Sequence, residues 1–400
     1  MRRVLDFVWR YMKFDGQIYS KIFFFNTRNL PNAMIYRAIG LMSGSSLDGL
    51  DIAFIEFHEN KGVWEYEIKA ADCSPYSEEW AKKLKGAIEL NALDYQLLHT
   101  EYGHYTGEQV NAFIERHNLQ YQVQLIASHG HTTFHVPAKK MTGQLGDGAA
   151  IAAVTGINVV SDLRAMDIAL GGQGAPIVPI GEKLLLGNYT FFLNLGGIAN
   201  ISYNHPDKYL AFDVCPANRV MNMLAQEAGK PYDDGGRLAA SGTINISLLK
   251  MLNELDYYQL PYPKSLANDF GTDVVYPLVT SSNASTEDTL RTMVEHIAIQ
   301  ISEQVKVMLE KQPLASTEKK LLATGGGAHN TFLLERLQAT LQSIGVEVVT
   351  AEKNLIDFKE ALIMALIGVL RWREENNVLA SVTGATRSSI GGAVWIGQEA

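Results

Sequence analysis

The amino-acid sequence predicts an α/β fold in two lobes with a central cleft, because three glycine-rich turns each follow a short apolar run. Two turns, at residues 44–49 and 196–197, lie between apolar runs that are typical of β-strands, and the third, at residues 325–327, precedes a helical pattern. Glycine lets main-chain N–H groups approach a bound phosphate closely. Three such turns at this spacing predict that two lobes hold a nucleotide between them.

The first glycine turn is the richest in polar groups. Residues 44–51 combine two glycines with serines and with Asp48 and Asp51, and strands are predicted on both sides, over residues 35–41 and 52–57. Serine hydroxyls and free N–H groups suit phosphate oxygens, and Asp48 adds a carboxylate for a metal ion or its water shell. An ordinary hairpin with a polar turn has the same composition, so this turn alone does not decide the question.

The second and third turns extend the pattern into the later half of the chain. Gly196 and Gly197 separate two apolar strands, and the run Gly325–Gly327 follows a short strand and opens a helix. Three consecutive glycines permit a flat or charged ligand to lie against the main chain. Two glycine hairpins followed by a late glycine turn form the plan that actin, the hexokinases and the Hsp70 chaperones share.

Composition places the chain among ordinary globular proteins and excludes several function classes. Of its 400 residues, 47% are hydrophobic and 19% are charged, and the net charge of −9 argues against general nucleic-acid binding. An anionic small substrate stays compatible with that charge. The two cysteines, Cys73 and Cys215, fit a reducing cytoplasm and form neither a disulfide framework nor a zinc cluster. No apolar run reaches the roughly 18–20 residues of a membrane span.

The chain length predicts two domains with separate cores. We predict a first lobe over residues 34–188 and a second over residues 189–400, with a last helix at about 357–374 that packs back on the first lobe. Residues 1–33 differ from the rest by six basic residues and an aromatic cluster. A signal peptide or amphipathic anchor is an alternative, but the preferred interpretation is an extension ahead of a start at Met34.

Hydrophobic periodicity predicts alternating strands and helices, which is typical of an α/β architecture. Ser285 and Asp288 predict a capped start for the longest helix of the second lobe. Beyond the glycine turns, strands are predicted at residues 63–73, 123–127 and 157–160, and helices at residues 77–90, 94–117, 148–155 and 285–308.

A polar segment after a predicted strand contains the candidate catalytic residues. Asp162, Arg164 and Asp167 precede a glycine-rich turn at residues 171–174. In α/β enzymes a carboxylate beyond the carboxyl end of a strand is well placed for catalysis, and an aspartate there serves as a general base. Arg164 would hold an anionic oxygen or orient that aspartate. An aspartate that caps a helix and forms a structural ion pair explains the same residues.

Other polar residues have a functional and a structural interpretation each. His129 and His131, at a predicted strand end, would contact a sugar or shape the site, and no further ligands at metal spacing accompany them. Asp147 is a candidate sugar contact, but it begins a predicted helix, where capping explains it equally well. Asp213 would meet Mg²⁺ through water. Cys215 is interpreted as a packing residue, because nothing nearby in the sequence activates it.

Taken together, these segments resemble the anhydro-N-acetylmuramic acid kinase family from about residue 35 to the end of the chain. The run Asp167–Pro176 is the most specific of them. The other matching segments, in the order that the family shows, are 40–51, 129–132, 144–147, 164–179, 194–200, 212–218, 325–330 and 382–385.

The resemblance implies a fold and a reaction. The fold is the two-lobed actin/hexokinase/Hsp70-like, ribonuclease H-like ATPase fold. The reaction uses ATP and Mg²⁺ to convert 1,6-anhydro-N-acetylmuramic acid, a product of cell-wall recycling, into the 6-phosphate while adding water across the 1,6-anhydro bond. The family also suggests a homodimer. A kinase for another anhydro sugar, and a nucleotide-dependent scaffold without sugar chemistry, are the alternatives.

The resemblance also implies roles for single residues. Asp167 matches the general base that deprotonates the attacking water, and Glu360 matches a carboxylate that contacts the sugar. Asp48 and Asp213 would lie near the metal. The residues that match the nucleotide-binding positions are Gly44, Ser45, Ser46, Leu47, Asp48, Gly49, Leu50, Asp51, Gly196, Gly197, Gly325, Gly326 and Gly327.

Two of these segments depart from the family pattern. His131 stands where the family usually has glutamine, which alters the donors near the sugar. Val214 and Cys215 replace a threonine and a glycine beside the nucleotide. Both departures concern substrate detail and efficiency more than the overall reaction.

Overall fold

The structure is a computed structural model, and it describes residues 33–398 except residues 45, 263, 268, 315 and 317. The described chain forms two β-sheets with helices packed on them. All but the last residue of the predicted N-terminal extension, residues 1–33, lies outside the described residues, and so does Ser45 of the predicted phosphate loop.

The first sheet has seven strands, and its central strand, β1 (Met34–Ser43), is buried on both faces. In β1, Ala38 belongs to one core and Ile39 and Leu41 belong to the core on the opposite face. The strand order is β12-β6-β4-β1-β2-β3, with β5 paired to β4. The strands are β1 (Met34–Ser43), β2 (Gly49–Asn60), β3 (Val63–Pro75), β4 (Leu125–Val136), β5 (Met141–Leu145), β6 (Asn158–Ser161) and β12 (Ala393–Trp395).

The second sheet has five strands in the order β11-β10-β7-β8-β9. Its apolar strands contribute to the largest core of the chain, which includes Phe191, Leu193, Ile201 and Leu321. The strands are β7 (Phe191–Leu195), β8 (Ile198–Asn204), β9 (Tyr209–Pro216), β10 (Lys319–Thr324) and β11 (Val346–Thr350).

Both sheets repeat one topology. When β5 and β12 are left aside, each sheet has five strands. In each, the first strand is antiparallel to the second and parallel to the fourth, and the order is third, second, first, fourth, fifth. For the first sheet that order is β3-β2-β1-β4-β6, and for the second it is β9-β8-β7-β10-β11. This duplicated arrangement of antiparallel hairpins and parallel crossovers confirms the predicted two-lobed, ribonuclease H-like α/β fold.

The helices largely follow the predicted periodicity. The predicted cap is confirmed, since the Ser285 hydroxyl accepts a hydrogen bond from the Asp288 N–H. The helices are α1 (Glu78–Gly86), α2 (Ala92–Arg116), α3 (Gly148–Thr155), α4 (Ala165–Ala169), α5 (Pro179–Leu185), α6 (Asn218–Glu227), α7 (Arg237–Ser241), α8 (Ile246–Asn253), α9 (Asp256–Gln259), α10 (Tyr276–Thr280), α11 (Thr286–Lys311), α12 (Thr331–Gln342), α13 (Lys353–Trp372) and α14 (Ala380–Thr383).

One strand prediction is wrong at its end. The predicted strand at residues 123–127 continues through both histidines to Val136, because β5 pairs antiparallel with its distal half. His129 and His131 therefore lie within β4 and not at its end. Period-2 alternation was obscured here by the mixed polar sequence.

The chain after β11 returns to the first sheet. Helix α13 packs on β1, β2 and β4, and β12 pairs with β6. Gly40 of β1 is required for this packing, because a Cβ there would overlap the carbonyl of Ala361 and lie 2.7 Å from the N atom of Ala365. Helix α13 and strand β12, which fall within the predicted second lobe at residues 189–400, thus lie on the first sheet.

A buried polar group joins the two sheets beside this helix. Lys359 of α13 forms an ion pair of 3.0 Å with Glu182 of α5, and both side chains are buried. Tyr209 of β9, in the second sheet, donates its hydroxyl hydrogen to the other oxygen of Glu182. Each charge is therefore paired, which is the condition under which burial of ions is tolerated.

We predict that Lys359→Met destabilises the chain by about 3–5 kcal/mol, because it leaves Glu182 buried without its cation. Urea unfolding followed by circular dichroism measures this change. Lys250→Met, which removes an exposed partner of Glu254, is the matched control and should change the free energy of unfolding by less than about 0.5 kcal/mol. Equal unfolding midpoints for the two variants would contradict the prediction.

Candidate functional site

The first glycine turn lies between β1 and β2, as predicted. The N–H of Leu47 donates to the Gly44 carbonyl at 3.4 Å, and Leu47 has a positive φ of 60°. A Cβ built at Gly44 meets its nearest neighbour, the Ser46 hydroxyl, at an ordinary 3.6 Å, so the fold leaves space there. Asp48 is exposed, whereas Leu50 is buried in the core.

Gly49 has a structural reason to be glycine. A Cβ at this position would lie 2.5 Å from the Ser74 carbonyl and 2.7 Å from the Cys73 sulfur, both on β3. The first turn therefore combines an open glycine, Gly44, with a glycine that strand packing demands.

Acidic groups from the turn and from α13 converge on Asp51. Burial raises the pKa of Asp51 to about 6, and the negative charges of Glu360, Asp357 and Asp48 act in the same direction. A hydrogen bond from the Cys73 thiol opposes the shift. Several carboxylates thus share one neighbourhood, which a cation would stabilise.

The two predicted turns of the second lobe pack against each other. A Cβ at Gly327 would lie 2.7 Å from that of Leu195, and one at Gly325, whose φ is 80°, would overlap the amide oxygen of Asn194. The Asn218 N–H at the start of α6 donates to the Gly196 carbonyl at 3.0 Å. At Gly196, Gly197 and Gly326 a Cβ would meet nothing closer than 3.4 Å.

A cavity of about 480 Å³ opens beside the Gly325–Gly327 turn. Its volume falls within the range of small-molecule sites, and its lining mixes glycine main chain with polar and aromatic side chains, among them Asn218, Asn222, Tyr232, Asp234, Gly326 and His329. A shallower hollow of about 550 Å³ lies between β10, β11 and α12, lined by residues such as Glu318, Lys320 and Gln342. None of the predicted site residues that the structure describes lines this hollow.

Helix α13 connects this turn with the first lobe. His329, which follows the three glycines, lies 3.0 Å from the carboxylate of Asp357. Asp357 and Glu360 are one helical turn apart on α13, and both influence Asp51 through their charge. Residues of the first turn, of α13 and of the Gly325–Gly327 turn are therefore neighbours in space.

The predicted base, Asp167, is completely buried, with 0% of its surface exposed. Its Oδ2 accepts a hydrogen bond of 2.8 Å from the Gly174 N–H, and its Oδ1 accepts one of 2.7 Å from the Thr383 hydroxyl. Among the described residues, these two partners are a main-chain N–H and a hydroxyl, and neither bond is a helix cap or an ion pair.

Arg164 and His129 form a second polar pair next to Asp167. The Arg164 Nε–H donates to Nε2 of His129 at 2.7 Å, and Nδ1 of His129 lies 2.8 Å from the Gly130 carbonyl. Burial lowers the pKa of His129 to about 3, and the Arg164 charge adds to this shift. Burial lowers the pKa of Arg164 to about 10, although the negative charges of Glu360 and Asp167 act to raise it. The pair thus contains a neutral imidazole and a guanidinium cation between two carboxylates.

His131 belongs to a chain of hydroxyl groups. Its Nδ1 lies 2.9 Å from the Ser43 Oγ, which accepts a hydrogen bond of 2.7 Å from Tyr76, and the Tyr76 and Tyr102 hydroxyls are 2.5 Å apart. Burial lowers the pKa of His131. The imidazole is therefore fixed next to the end of β1, where the first glycine turn begins.

Asp147 and Asp213 have structural partners as well. Asp147 caps α3 by accepting the Ala149 N–H at 2.8 Å. Asp213 accepts the Leu266 N–H and the Ser265 hydroxyl through one oxygen, and burial raises its pKa. Glu360 is exposed on α13. The packing role predicted for Cys215 is confirmed, because its side chain lies in the core of the second lobe.

Comparison with known proteins decides the family. The profile described as anhydro-N-acetylmuramic acid kinase matches residues 36–397. The chain belongs to the anhydro-N-acetylmuramic acid kinase family. The kinase of that name from Hydrogenovibrio crunogenus is 35% identical over 386 residues, which cover 91% of this chain and 99% of that protein. The one from Sulfurovum sp. is 33% identical over 90% of this chain and 99% of that protein.

A solved structure is more distantly similar. The activator of 2-hydroxyisocaproyl-CoA dehydratase from Clostridium difficile, with bound ADPNP, superposes with a TM-score of 0.42 at 12% identity, covering 84% of this chain and 96% of that chain. The fold assignment of this kinase-family chain rests on its duplicated sheet topology.

The described residues contain neither a metal-binding cluster nor a membrane-spanning helix. Among them, no group of three or more His, Cys, Asp and Glu side chains is arranged to hold a metal ion. No helix within the described part of the chain has both the length and the apolar character to cross a membrane.

The structure adds residues to the site that sequence reasoning did not select. Thr383 and Gly174 hold the Asp167 carboxylate, and Asp357 joins α13 to His329. Gly174 and Thr383 lay in segments that signalled the family, residues 164–179 and 382–385, but nothing in those segments revealed that both bind Asp167.

We predict that Asp51→Asn stabilises the ligand-free chain above pH 6. The folded-state pKa of Asp51, about 6, exceeds its ordinary value of 3.8, so the folded chain binds the proton more tightly and loses stability as the pH rises from about 4 to 6. The variant does not lose stability in this way. Allowing for the partial exposure of Asp51, its free energy of unfolding should exceed that of the wild type by about 1–2 kcal/mol at pH 8, and the difference should disappear below pH 4.

Thermal melting across pH 4–8 measures this difference. Asp207→Asn, at a side chain that is 92% exposed, serves as the control and should leave the melting temperature unchanged throughout. A variant that is less stable than the wild type at pH 8 would show that the ionised Asp51 supports the ligand-free fold.

Proposed function

We propose that this chain uses ATP and Mg²⁺ to convert 1,6-anhydro-N-acetylmuramic acid into N-acetylmuramic acid 6-phosphate and ADP, hydrolysing the 1,6-anhydro bond in the process. The observation that carries the proposal is the family match over residues 36–397, within which all the candidate residues fall. The reaction would serve the recycling of peptidoglycan, and we propose a cytoplasmic homodimer.

In this proposal the three glycine turns bind the nucleotide. The open positions at Gly44, Gly196, Gly197 and Gly326 leave room for phosphate oxygens, and the cavity beside Gly326 has the size for a nucleoside. Phosphoryl transfer depends mainly on positioning and on charge stabilisation, which main-chain donors at such turns supply.

The residues present fit Mg²⁺ bound together with a nucleotide. This ion usually takes one or two protein carboxylates and completes its shell with water and phosphate oxygens, so a site without a three-residue cluster is compatible with it. Asp48 is exposed on the first turn, and carboxylates crowd around Asp51. Asp48, with Asp213 through water, would hold the ion, which when bound supplies positive charge to the transferring phosphoryl group.

Asp167 acts as the general base in this mechanism. It takes a proton from water as the water oxygen bonds to the anomeric carbon, the bond from that carbon to O6 breaks, and O6 attacks the γ-phosphorus while ADP leaves. Each carboxylate oxygen accepts one hydrogen bond in the structure and has a further lone pair for the water. Because Asp167 is fully buried, we infer that sugar binding shifts the glycine-rich turn at residues 171–174.

The sugar-facing roles go to residues around Asp167. Arg164 would hold an anionic oxygen of the substrate, since its cation already lies near Glu360 and Asp167. His129 keeps Arg164 in place, and His131, Asp147 and Glu360 would contact the sugar. A kinase for another anhydro sugar remains the alternative at the same site. A nucleotide-dependent scaffold is disfavoured, because it has no use for a buried carboxylate with two donors.

We predict that the purified chain forms the 6-phosphate from 1,6-anhydro-N-acetylmuramic acid, ATP and Mg²⁺, and mass spectrometry detects this product. We also predict that Asp167→Asn lowers turnover by about 10²–10⁴-fold, which is the usual scale of general-base catalysis. Affinity for ATP should stay unchanged. Asp207→Asn is the control with full turnover. Absence of product from the folded wild-type chain would reject the proposed function, and near-normal turnover of Asp167→Asn would show that another group is the base.

We predict that Gly44→Val weakens ATP binding at least several-fold while the chain stays folded. The added methyl groups occupy the space that we assign to phosphate oxygens, and a Cβ there has only an ordinary contact within the chain. Isothermal titration calorimetry with ATP and Mg²⁺ measures the affinity. Gly86→Ala, where a Cβ meets nothing within 4 Å, should bind ATP like the wild type. Equal affinities for both variants would remove this turn from the nucleotide site.

A further inference from the structure

The carboxylate of Asp167 has a side-chain partner from the far end of the chain. The Thr383 hydroxyl donates to Oδ1 at 2.7 Å, across 216 residues of sequence. Both residues are buried, with 0% of Asp167 and 1% of Thr383 exposed. A buried hydroxyl facing a carboxylate forms a charge-assisted hydrogen bond, which is stronger than a bond between neutral groups.

The hydroxyl hydrogen of Thr383 has two acceptors within reach. The Asp167 oxygen is at 2.7 Å, and the carbonyl of Leu379, the residue that precedes α14, is at 3.4 Å. The Ala385 N–H lies 3.4 Å from the same hydroxyl oxygen and donates to it. The shorter distance and the negative charge both direct the hydrogen to Asp167.

The main chain around Thr383 also supports the segment that contains Asp167. The Gln173 N–H donates to the Thr383 carbonyl at 2.8 Å, and the Thr386 N–H donates to the Leu170 carbonyl at 3.2 Å. A Cβ at Gly172 would lie 2.9 Å from that of Ala385. Residues 383–386 therefore contact the glycine-rich turn and the residue before it through two main-chain hydrogen bonds.

We propose that Thr383 is a positioning residue for the reaction: its hydroxyl fixes the rotation of the Asp167 carboxylate so that a free lone pair faces the attacking water. This inference rests on the proposed function, in which Asp167 is the general base. In this role Thr383 acts on the reaction through Asp167. Removal of the hydroxyl leaves the carboxylate with the Gly174 N–H alone, so its rotation is less restricted and its ionised form is less stabilised.

Two variants separate the hydroxyl from the shape of the side chain. Thr383→Val keeps the branched shape and loses the donor, and Thr383→Ser keeps the donor and loses a methyl group. We expect Thr383→Val to lower kcat by about 10–100-fold, on the scale of one lost hydrogen bond to a charged group, with the KM for ATP unchanged. The acidic limb of its pH–rate profile should move to higher pH. Thr383→Ser should restore most of kcat and the wild-type limb.

Steady-state kinetics from pH 5 to 9, with melting temperatures of each variant, test the inference. A Thr383→Val variant with the wild-type kcat and acidic limb, or with a raised kcat, overturns it, and so does a Thr383→Ser variant as impaired as Thr383→Val. If Thr383→Val does not fold, Thr383→Ala and Thr383→Ser provide the same comparison. A wild-type chain that forms no 6-phosphate overturns the proposed function and this inference together, whereas an active wild type with an indifferent Thr383→Val overturns this inference alone.

Discussion

The close contact between α13 and β1 at Gly40 sets the geometry of the whole site. With no side chain at that position, the main chain of Ala361 lies directly against the central strand of the first sheet. The preceding turn of α13 is thereby brought between the lobes, where Asp357 meets His329 and where the charge of Glu360 reaches Asp51 and Arg164. A larger residue at Gly40 would push the helix away, and every one of these relations would change with it.

The polar interior of the first lobe is arranged around few charges. Arg164 is held by His129, whose burial keeps the imidazole neutral, so the guanidinium faces two carboxylates without competition from a second cation in this pair. The charge of Glu360 also reaches Asp51, and there the surrounding groups are carboxylates and not a cation. In the proposed mechanism this asymmetry directs the anionic sugar to Arg164 and the metal with its nucleotide to the acidic side.

The sequence predicted what local patterns determine. Glycine turns between apolar strands gave both hairpins, and period-3.6 apolar positions gave α11 and α12, since these signals need no partner elsewhere in the chain. Non-local relations were not predictable in this way. The bond between Thr383 and Asp167, the contact between Gly40 and Ala361 and the pairing of β12 with β6 join residues more than two hundred positions apart. His131 is a further example. The sequence shows that its residue type departs from the family pattern, but its bond to Ser43 depends on the register of β1 against β4, which the local sequence does not reveal.

The buried contact of Lys359, Glu182 and Tyr209 has a mechanical consequence. Lys359 and Glu182 pack with the first sheet and Tyr209 belongs to the second, so the contact acts as a pivot for any relative rotation of the lobes. Breaking the contact would leave Glu182 or Lys359 charged and unpaired in the interior, whereas a rotation of the lobes about the contact would keep both paired. Opening and closing motions of the cleft should therefore have their largest amplitude at the glycine turns and their smallest near Glu182.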